Sequence, residues 1–108
     1  MSKKSDIWML YSTFPNKKSA LAVAKKLVEA RLIACANIYG GVTSVYRWEG
    51  KINQSAEVTL IAKTTKKNVG KTITAIKKTH PYALPCVVAY PIANGLPEFL
   101  KWVENETE

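Results

Sequence analysis

The segment THPYALPC, residues 79–86, concentrates side chains of this sequence that could do chemistry. It contains the only histidine, His80, and one of the two cysteines, Cys86, with Pro81 and Pro85 between them. Imidazole and thiolate groups are ligands for copper and zinc, so the segment is a candidate metal site. Both prolines also restrict the backbone, which favours a rigid corner between a helix and a strand. In that interpretation His80 caps the helix or bonds a backbone carbonyl.

The remaining polar residues form no recognisable catalytic or nucleotide-binding motif. The sequence has no GxxxxGK[ST] phosphate loop, no GxGxxG motif and no Ser-His-Asp order. Its acidic residues are scattered, without an evident general acid/base pair. With one histidine and no CxxC pair, a structural zinc site would need ligands from symmetry-related copies of the chain. We therefore expect a protein that is not an enzyme.

The second cysteine, Cys35, lies in the apolar segment LIACANI and is either a metal ligand or a small buried side chain. The same alternatives hold for Cys86, which opens the apolar run CVVAYPI. Two cysteines do not make a disulfide framework, so we expect free thiols in a reducing cytoplasm. The N-terminus lacks a signal-peptide core, and no run approaches the roughly 20 apolar residues of a membrane-spanning helix.

The net charge of +8 is high for 108 residues and raises the question of a nucleic-acid partner. No aromatic residue is interleaved with the lysines, so stacking platforms for single strands are missing. The lysine clusters lie on predicted helices and are interpreted as solvated faces: Lys17, Lys18, Lys25, Lys26, Lys66, Lys67, Lys71, Lys77 and Lys78. We expect neither a nucleic-acid nor a membrane partner.

Hydrophobic periodicity divides the chain into four strands and three helices. The predicted elements are strands at 6–12, 32–48, 57–64 and 86–92, with helices at 17–30, from 65 or 68 to the HPY segment, and after Gly95. Asn16 is the candidate N-cap of the first helix. Gly40-Gly41 predicts a bulge or bend, and Gly50 predicts a tight hairpin turn. The apolar stripe of the first helix is predicted to be Leu21, Ala24, Leu27 and Val28.

This order of elements predicts an α+β, ferredoxin-like split βαβ fold with a C-terminal helix, in which helices cover one face of an antiparallel sheet. We expect one domain over residues 1–108, with residues 1–5 flexible. Both faces of the predicted strands are apolar, for example Leu10 on one side and Met9 on the other. The uncovered face therefore needs a cover, and self-association is the simplest one.

Four large side chains stand out near the predicted hairpin and in the last helix, namely Tyr46, Arg47, Trp48 and Trp102. Aromatic residues and arginine favour the centres of interfaces, so we interpret these four as interface residues. A ligand pocket and ordinary core or hairpin packing are the alternatives.

Five segments occur in an order that resembles the CutA divalent-cation tolerance family: RLIACANI, SVYRWEGKI, EVTLIAKT, HPY and GLPEFLKWVENET. Each is weak alone, but together they span nearly the whole chain, roughly residues 10–107. The resemblance implies a compact homotrimer with an architecture similar to the PII signalling proteins. It also implies a role in tolerance to copper and other divalent ions, with Cys35 and His80 as metal ligands.

The chain departs from the family pattern beside this segment. Many members have glutamate where this chain has Ala83, and another glutamate where it has Cys86. Two oxygen ligands are thus replaced by one sulfur, which favours a thiophilic ion such as copper(I). Cys86 therefore joins Cys35 and His80 as a candidate ligand.

Strand order limits where these ligands can meet. In the predicted fold the second and fourth strands are the two sheet edges, which separates Cys35 from Cys86 by about 14 Å within one subunit. Cys35 and His80 are likewise expected to share a copper or other divalent ion only at a site between subunits, whereas an ion shared by His80 and Cys86 stays open, because the rigid PYALP segment lies between them. Two other functions stay open: a PII-like module that binds a small anion or a protein partner in inter-subunit clefts, and a purely structural trimer.

Overall fold

The computed structural model describes residues 6–108, so the prediction that residues 1–5 are flexible lies outside the described residues. The elements in chain order are β1 (Ile7–Phe14), α1 (Lys17–Glu29), β2 (Cys35–Trp48), β3 (Lys51–Thr65), a short 3₁₀ turn (Lys66–Asn68), α2 (Val69–Thr79), β4 (Val87–Pro91) and α3 (Pro97–Glu106). None of the helices in this described part has the length and apolar character required to cross a membrane.

The strands form one antiparallel sheet in the order β2-β3-β1-β4. The predicted α+β class is confirmed, with a four-stranded antiparallel sheet and three helices. β2 and β3 are much longer than β1 and β4, so their outer halves project as a two-stranded hairpin, which we call the arm (residues 42–57). The arm makes the molecule elongated, with extents of 52 × 25 × 23 Å.

One face of the sheet, the covered face, packs against α1 and α2. The register places Leu10 beside Ala62 and Ala89, and the next row on this face places Leu60 beside Ser12. Leu10, Leu60 and Ala62 are fully buried together with Phe14 and helix side chains. Full burial of each larger apolar side chain stabilises the folded state by about 1.5–3 kcal/mol. This face therefore contributes the main hydrophobic core.

The opposite, open face carries the alternate residues of the same strands. One row runs Asn37, Ile61, Tyr11 and Val88 across all four strands. Here α3 covers only one end, where a second buried cluster contains Ile7 and Val103. The rest of the face keeps large side chains in solvent, including Tyr39, Val88 and Tyr90.

The first helix begins as predicted, but its buried stripe differs. The Asn16 Oδ1 accepts a hydrogen bond from the Ser19 backbone N–H at 2.8 Å, which caps α1. The predicted Leu21 and Val28 are exposed, whereas Ala24 and Leu27 are buried. Ala20 and Val23 complete the observed stripe. The prediction was wrong at Leu21 and Val28 because the stripe through Ala20 and Val23, displaced around the helix, also has helical spacing and is the one that packs in the core.

Two glycine-containing breaks shape the arm. The register shifts between Tyr39 and Val42, which confirms the predicted bulge, and Gly41 takes a φ of +79°. At the tip Glu49 and Gly50 both have positive φ, as a two-residue hairpin turn requires. β3 already starts at Lys51, earlier than the predicted 57, because the whole hairpin is paired.

Candidate functional site

The segment 79–86 connects α2 to β4, and its first part is a rigid corner. His80 is the C-cap of α2 and has an extended backbone, as expected for a residue before proline. Its ring is stacked on Phe14 with centroids 4.2 Å apart, and only 8% of the residue is exposed. The interpretation of His80 as a helix cap agrees with this geometry.

Both ring nitrogens of His80 are engaged in hydrogen bonds. The backbone N–H of Tyr82 donates to Nδ1 at 3.1 Å, so Nε2 carries the proton and donates to the Thr13 carbonyl at 2.8 Å. Burial lowers the pKa of His80, against smaller opposing effects of the Thr13 bond and Glu57. The ring is therefore neutral, and binding of a metal would require the loss of one of these two bonds.

Tyr82 turns back over the sheet and reaches a carboxylate that the sequence did not single out. Its hydroxyl donates to Oε2 of Glu57 at 2.8 Å, and Glu57 is only 9% exposed. Burial, and secondly the hydrogen bond to Glu57, raises the pKa of Tyr82 to about 12. The phenol therefore stays protonated at neutral pH and continues to donate to the carboxylate.

The bulge decides which arm residues share this side of the sheet. Three β2 residues (40–42) follow Tyr39, opposite only two β3 residues (58 and 57), and Val42 then pairs with Glu57. Further out, Tyr46 and Trp48 continue on the same side of the arm as Glu57. A one-residue change of register reverses the facing of every later side chain, so the bulge sets this arrangement.

Between the arm and the segment that follows His80 lies an open cavity of about 500 Å³, which we call the arm cavity. Its lining residues are Thr13, Tyr46, Trp48, Glu57, Pro81, Tyr82, Ala83, Leu84 and Cys86. The volume is within the range of small-ligand sites, and the lining combines aromatic walls with a few polar groups.

Cys86 is a free, exposed thiol in this lining. Burial of the sulfur raises its pKa, and the charge of Glu57 adds to the shift. The group is therefore a thiol at neutral pH and becomes a strong ligand only when a metal displaces its proton.

Cys35 lies elsewhere, at the start of the edge strand β2, in a row with Lys63, Met9 and Tyr90 on the open face. Burial raises the pKa of this thiol, and Lys63 opposes the shift. Since β2 and β4 are the two edges, Cys35 and Cys86 do not approach each other within one chain. Across residues 6–108 no three His, Cys, Asp or Glu side chains are grouped to hold a metal ion.

The four predicted interface residues are all exposed in the single chain. Tyr46 and Trp48 line the arm cavity, and Tyr46 accepts a hydrogen bond from Ser55 at 3.3 Å. Trp102 is stacked with Phe99 on α3 at 5.7 Å. None of the three aromatic residues is part of the buried core, which removes core packing as their explanation.

Sequence reasoning missed the Glu57–Tyr82 pair. Glu57 is one of several acidic residues that are scattered along the sequence. Tyr82 belongs to the HPY segment, where no role is predicted for its side chain. The available signal was a carboxylate placed between Ala56 and Val58 in an apolar strand, since a charged group there requires a partner.

This fold and these motifs define an α+β chain with a four-stranded antiparallel sheet, three helices and a cavity under a long hairpin. The family model of the CutA1 divalent ion tolerance protein matches residues 8–106, and the chain belongs to this family.

Individual relatives agree with that assignment. The chain is 44% identical over 95 residues to the divalent-cation tolerance protein CutA of Thermus thermophilus, covering 88% of this chain and 92% of the relative. The crystal structure of CutA from Xylella fastidiosa has a TM-score of 0.94 at 39% identity and covers 96% of this chain and 100% of that one. The structure of the periplasmic divalent cation tolerance protein CutA from Archaeoglobus fulgidus has a TM-score of 0.91 at 37% identity, covering 94% and 99%.

Proposed function

We propose that this ferredoxin-like chain acts in divalent-cation tolerance as a PII-like homotrimer that weakly binds copper or another divalent ion between subunits. The observation that carries the proposal is the exposed Cys86 thiol beside the Glu57 carboxylate in an open cavity. Two such groups are too few for a closed metal site, so a neighbouring subunit supplies the remaining ligands. Membership of the family supports the role in tolerance.

The open face supports self-association. Val88 is 51% exposed, and Tyr39 and Tyr90 are exposed to a similar degree. Large apolar side chains exposed at both edges of one sheet face favour association with a partner. The number of three subunits is what the family resemblance implies. The proposed interface residues are Tyr46, Arg47, Trp48 and Trp102.

The donor atoms favour a soft ion. A thiolate binds copper(I) more readily than a carboxylate does, and Cys86 is the exposed thiol of this cavity. Cys35 is a second candidate, since its row on the open face would become part of a subunit interface. His80 is the weakest of the three predicted ligands, because both of its nitrogens are already bonded.

A reduced thiol site requires a reducing compartment, so we propose a cytoplasmic location. An anion-binding, PII-like function receives less support. Among the described residues that line the arm cavity, Glu57 is the one with a formal charge, and it is negative.

The test is calorimetric titration of copper(I) into fully reduced, metal-free protein, with the mass of the same sample measured by light scattering. We expect a trimer that binds copper(I), and Cys86→Ser should weaken binding about tenfold or more because it removes the soft ligand. Cys35→Ser and His80→Ala, alone and together, distinguish the other candidate ligands. A monomer at micromolar concentration contradicts the assembly, and unchanged binding in all three variants contradicts the metal site.

A further inference from the structure

We propose that the outer sides of α1 and α2 form a docking surface for the phosphate backbone of a nucleic-acid duplex. The first observation is where the net charge of the protein resides. Residues 17–29 and 66–79, which we call the basic layer, contain nine lysines and a single acidic residue, Glu29. Their net charge of +8 is that of the whole chain, because the remaining residues carry seven positive and seven negative side chains.

The fold brings these two segments, which are distant in sequence, to one side of the molecule. Ala20 and Leu27 of α1 and Ile76 of α2 are buried in one core cluster against the covered face of the sheet. All nine lysines are exposed. Because the helices pack on the covered face, the basic layer lies on the side of the molecule away from the open face. The assembly proposed through the open face therefore does not cover it.

The direction of the helices decides how the lysines are grouped. β1 and β3 are antiparallel, and each is followed by one of the helices, so α1 and α2 run in opposite directions. The Thr72 hydroxyl oxygen near the start of α2 lies 3.3 Å from the Leu32 carbonyl oxygen just beyond α1, which agrees with this arrangement. Each end of the layer therefore combines lysines of both segments: Lys17, Lys18, Lys77 and Lys78 at one end, and Lys25, Lys26, Lys66 and Lys67 at the other.

The distance between the two ends matches the spacing of phosphate strands in a double helix. At a rise of about 1.5 Å per residue, Lys17 and Lys25 are about 12 Å apart along the axis of α1. The major groove of B-DNA has a width of about 12 Å between the phosphate strands that border it. The lysines at each end of the layer are thus spaced to contact one strand each.

The residue types in the layer favour a duplex over an acidic protein or a lipid surface. Neither segment contains arginine or an aromatic residue. Such residues anchor protein interfaces, and aromatic side chains anchor helices in a lipid surface. Lysine, in contrast, binds phosphates as a point charge without reading the bases.

The expectation from sequence of no nucleic-acid partner rested on the absence of stacking platforms, which bind single strands. A duplex keeps its bases stacked inside and presents its phosphates outside, so this objection does not apply to it. The basic layer is separate from the proposed metal site and goes beyond metal tolerance, since it contains none of the candidate ligands Cys35, His80 and Cys86.

The experiment measures the fluorescence anisotropy of a short labelled DNA duplex titrated with the chelator-treated full-length protein. We expect a Kd of about 1–100 μM at physiological salt. Four phosphate contacts give a slope of about −3.6 for the logarithm of the binding constant against that of the salt concentration, and more contacts give a steeper slope. Two duplexes of unrelated sequence should bind equally, because phosphates carry no sequence information. Absence of binding at about 50 mM salt, or a slope near zero, overturns the proposal.

Matched variants test the location. Lys25→Gln/Lys26→Gln and the control Lys51→Gln/Lys101→Gln each remove two exposed positive charges, but only the first pair lies in the basic layer. The first variant should weaken duplex binding about tenfold or more and make the salt slope shallower by about 1.8, whereas the control should leave the slope unchanged. Thermal unfolding with the midpoint of the parent protein checks that both variants are folded. Equal effects of the two variants would mean that the duplex responds to overall charge, and they contradict the docking surface.

Two other polyanions test the class of partner. Vesicles of phosphatidylserine and phosphatidylcholine, and poly-glutamate, are titrated at the same salt concentration as the duplex. Both should bind more weakly, since neither presents two strands of phosphates at a fixed spacing. Tighter binding of the vesicles assigns a membrane surface, tighter binding of poly-glutamate assigns an acidic protein, and either result overturns the duplex as the partner.

Discussion

The two faces of the sheet have the same apolar alternation but different surroundings. On the covered face Leu60 is fully buried under the helices, whereas on the open face Val88 is 51% exposed. The two ends of the segment 79–86 follow the same division. His80 is stacked on Phe14 of the core, and Cys86 faces the open arm cavity. Local sequence therefore does not predict whether a side chain is free to bind a ligand. Its exposure depends on which elements pack against its face of the sheet.

The largest expected effect on stability is that of a substitution on the covered face. Leu60→Ala should lower the free energy of unfolding by about 2–5 kcal/mol, because it leaves a cavity among fully buried side chains. The matched variant Val88→Ala should have less than about 1 kcal/mol of effect in a single chain, since the side chain is already half in solvent. Denaturant unfolding at several protein concentrations measures both.

Concentration dependence sharpens that result. If the open face joins subunits, the Val88→Ala effect should be larger at concentrations where the assembly persists, and it should fall towards the single-chain value as the protein is diluted to dissociation. An effect of Val88→Ala equal to that of Leu60→Ala at every concentration would show that the two faces do not differ as described.

An intermediate effect is expected at the bulge that separates the sheet from the arm. Gly41→Ala should cost about 1–2 kcal/mol, because Gly41 has a φ of +79° that side chains with a Cβ rarely adopt. Gly40→Ala is the control, since its φ is not in that region and a Cβ there meets no atom within 4 Å. Thermal unfolding of both variants tests this, and equal midpoints would contradict a requirement for left-handed backbone.

The smallest expected effect concerns His80 and pH. Burial lowers the pKa of His80 below its usual 6.5. In the unfolded chain the ring takes up a proton as the pH falls through about 6.5, whereas in the folded protein it stays neutral to lower pH. The unfolded state then binds more protons, so the stability contribution is complete above about 6.5 and is lost as the pH falls towards the folded pKa.

The check compares the unfolding midpoints of the wild type and His80→Gln at pH 7.5 and 5.5. The difference between the two proteins should narrow at the lower pH, because the variant has no titrating ring. A difference that is constant or wider at pH 5.5 would mean that the folded protein does not disfavour the charged ring.

Much of the architecture was predictable because its signals are local. The strand and helix order, the Asn16 cap, the bulge at Gly40-Gly41 and the turn at Gly50 each depend on a few adjacent residues. The stripe of α1 was only half predictable, since a stripe through Leu21 and Val28 fits helical spacing as well as the observed one through Ala20 and Val23. The candidate site was less predictable still. Glu57 and Tyr82 are 25 positions apart, and no local pattern relates them.

The sequence by itself determined the elements, their order and the apolar character of both sheet faces, because backbone preference and side-chain periodicity act over neighbouring residues. Tertiary structure decided that both His80 nitrogens are consumed, that Cys35 and Cys86 lie at opposite edges, and that Glu57, Tyr82 and Cys86 share one cavity. The physical reason is register. One extra residue in β2 sets which side chains of the arm face the segment before β4. This facing is fixed only when β2 and β3 pair in the folded sheet.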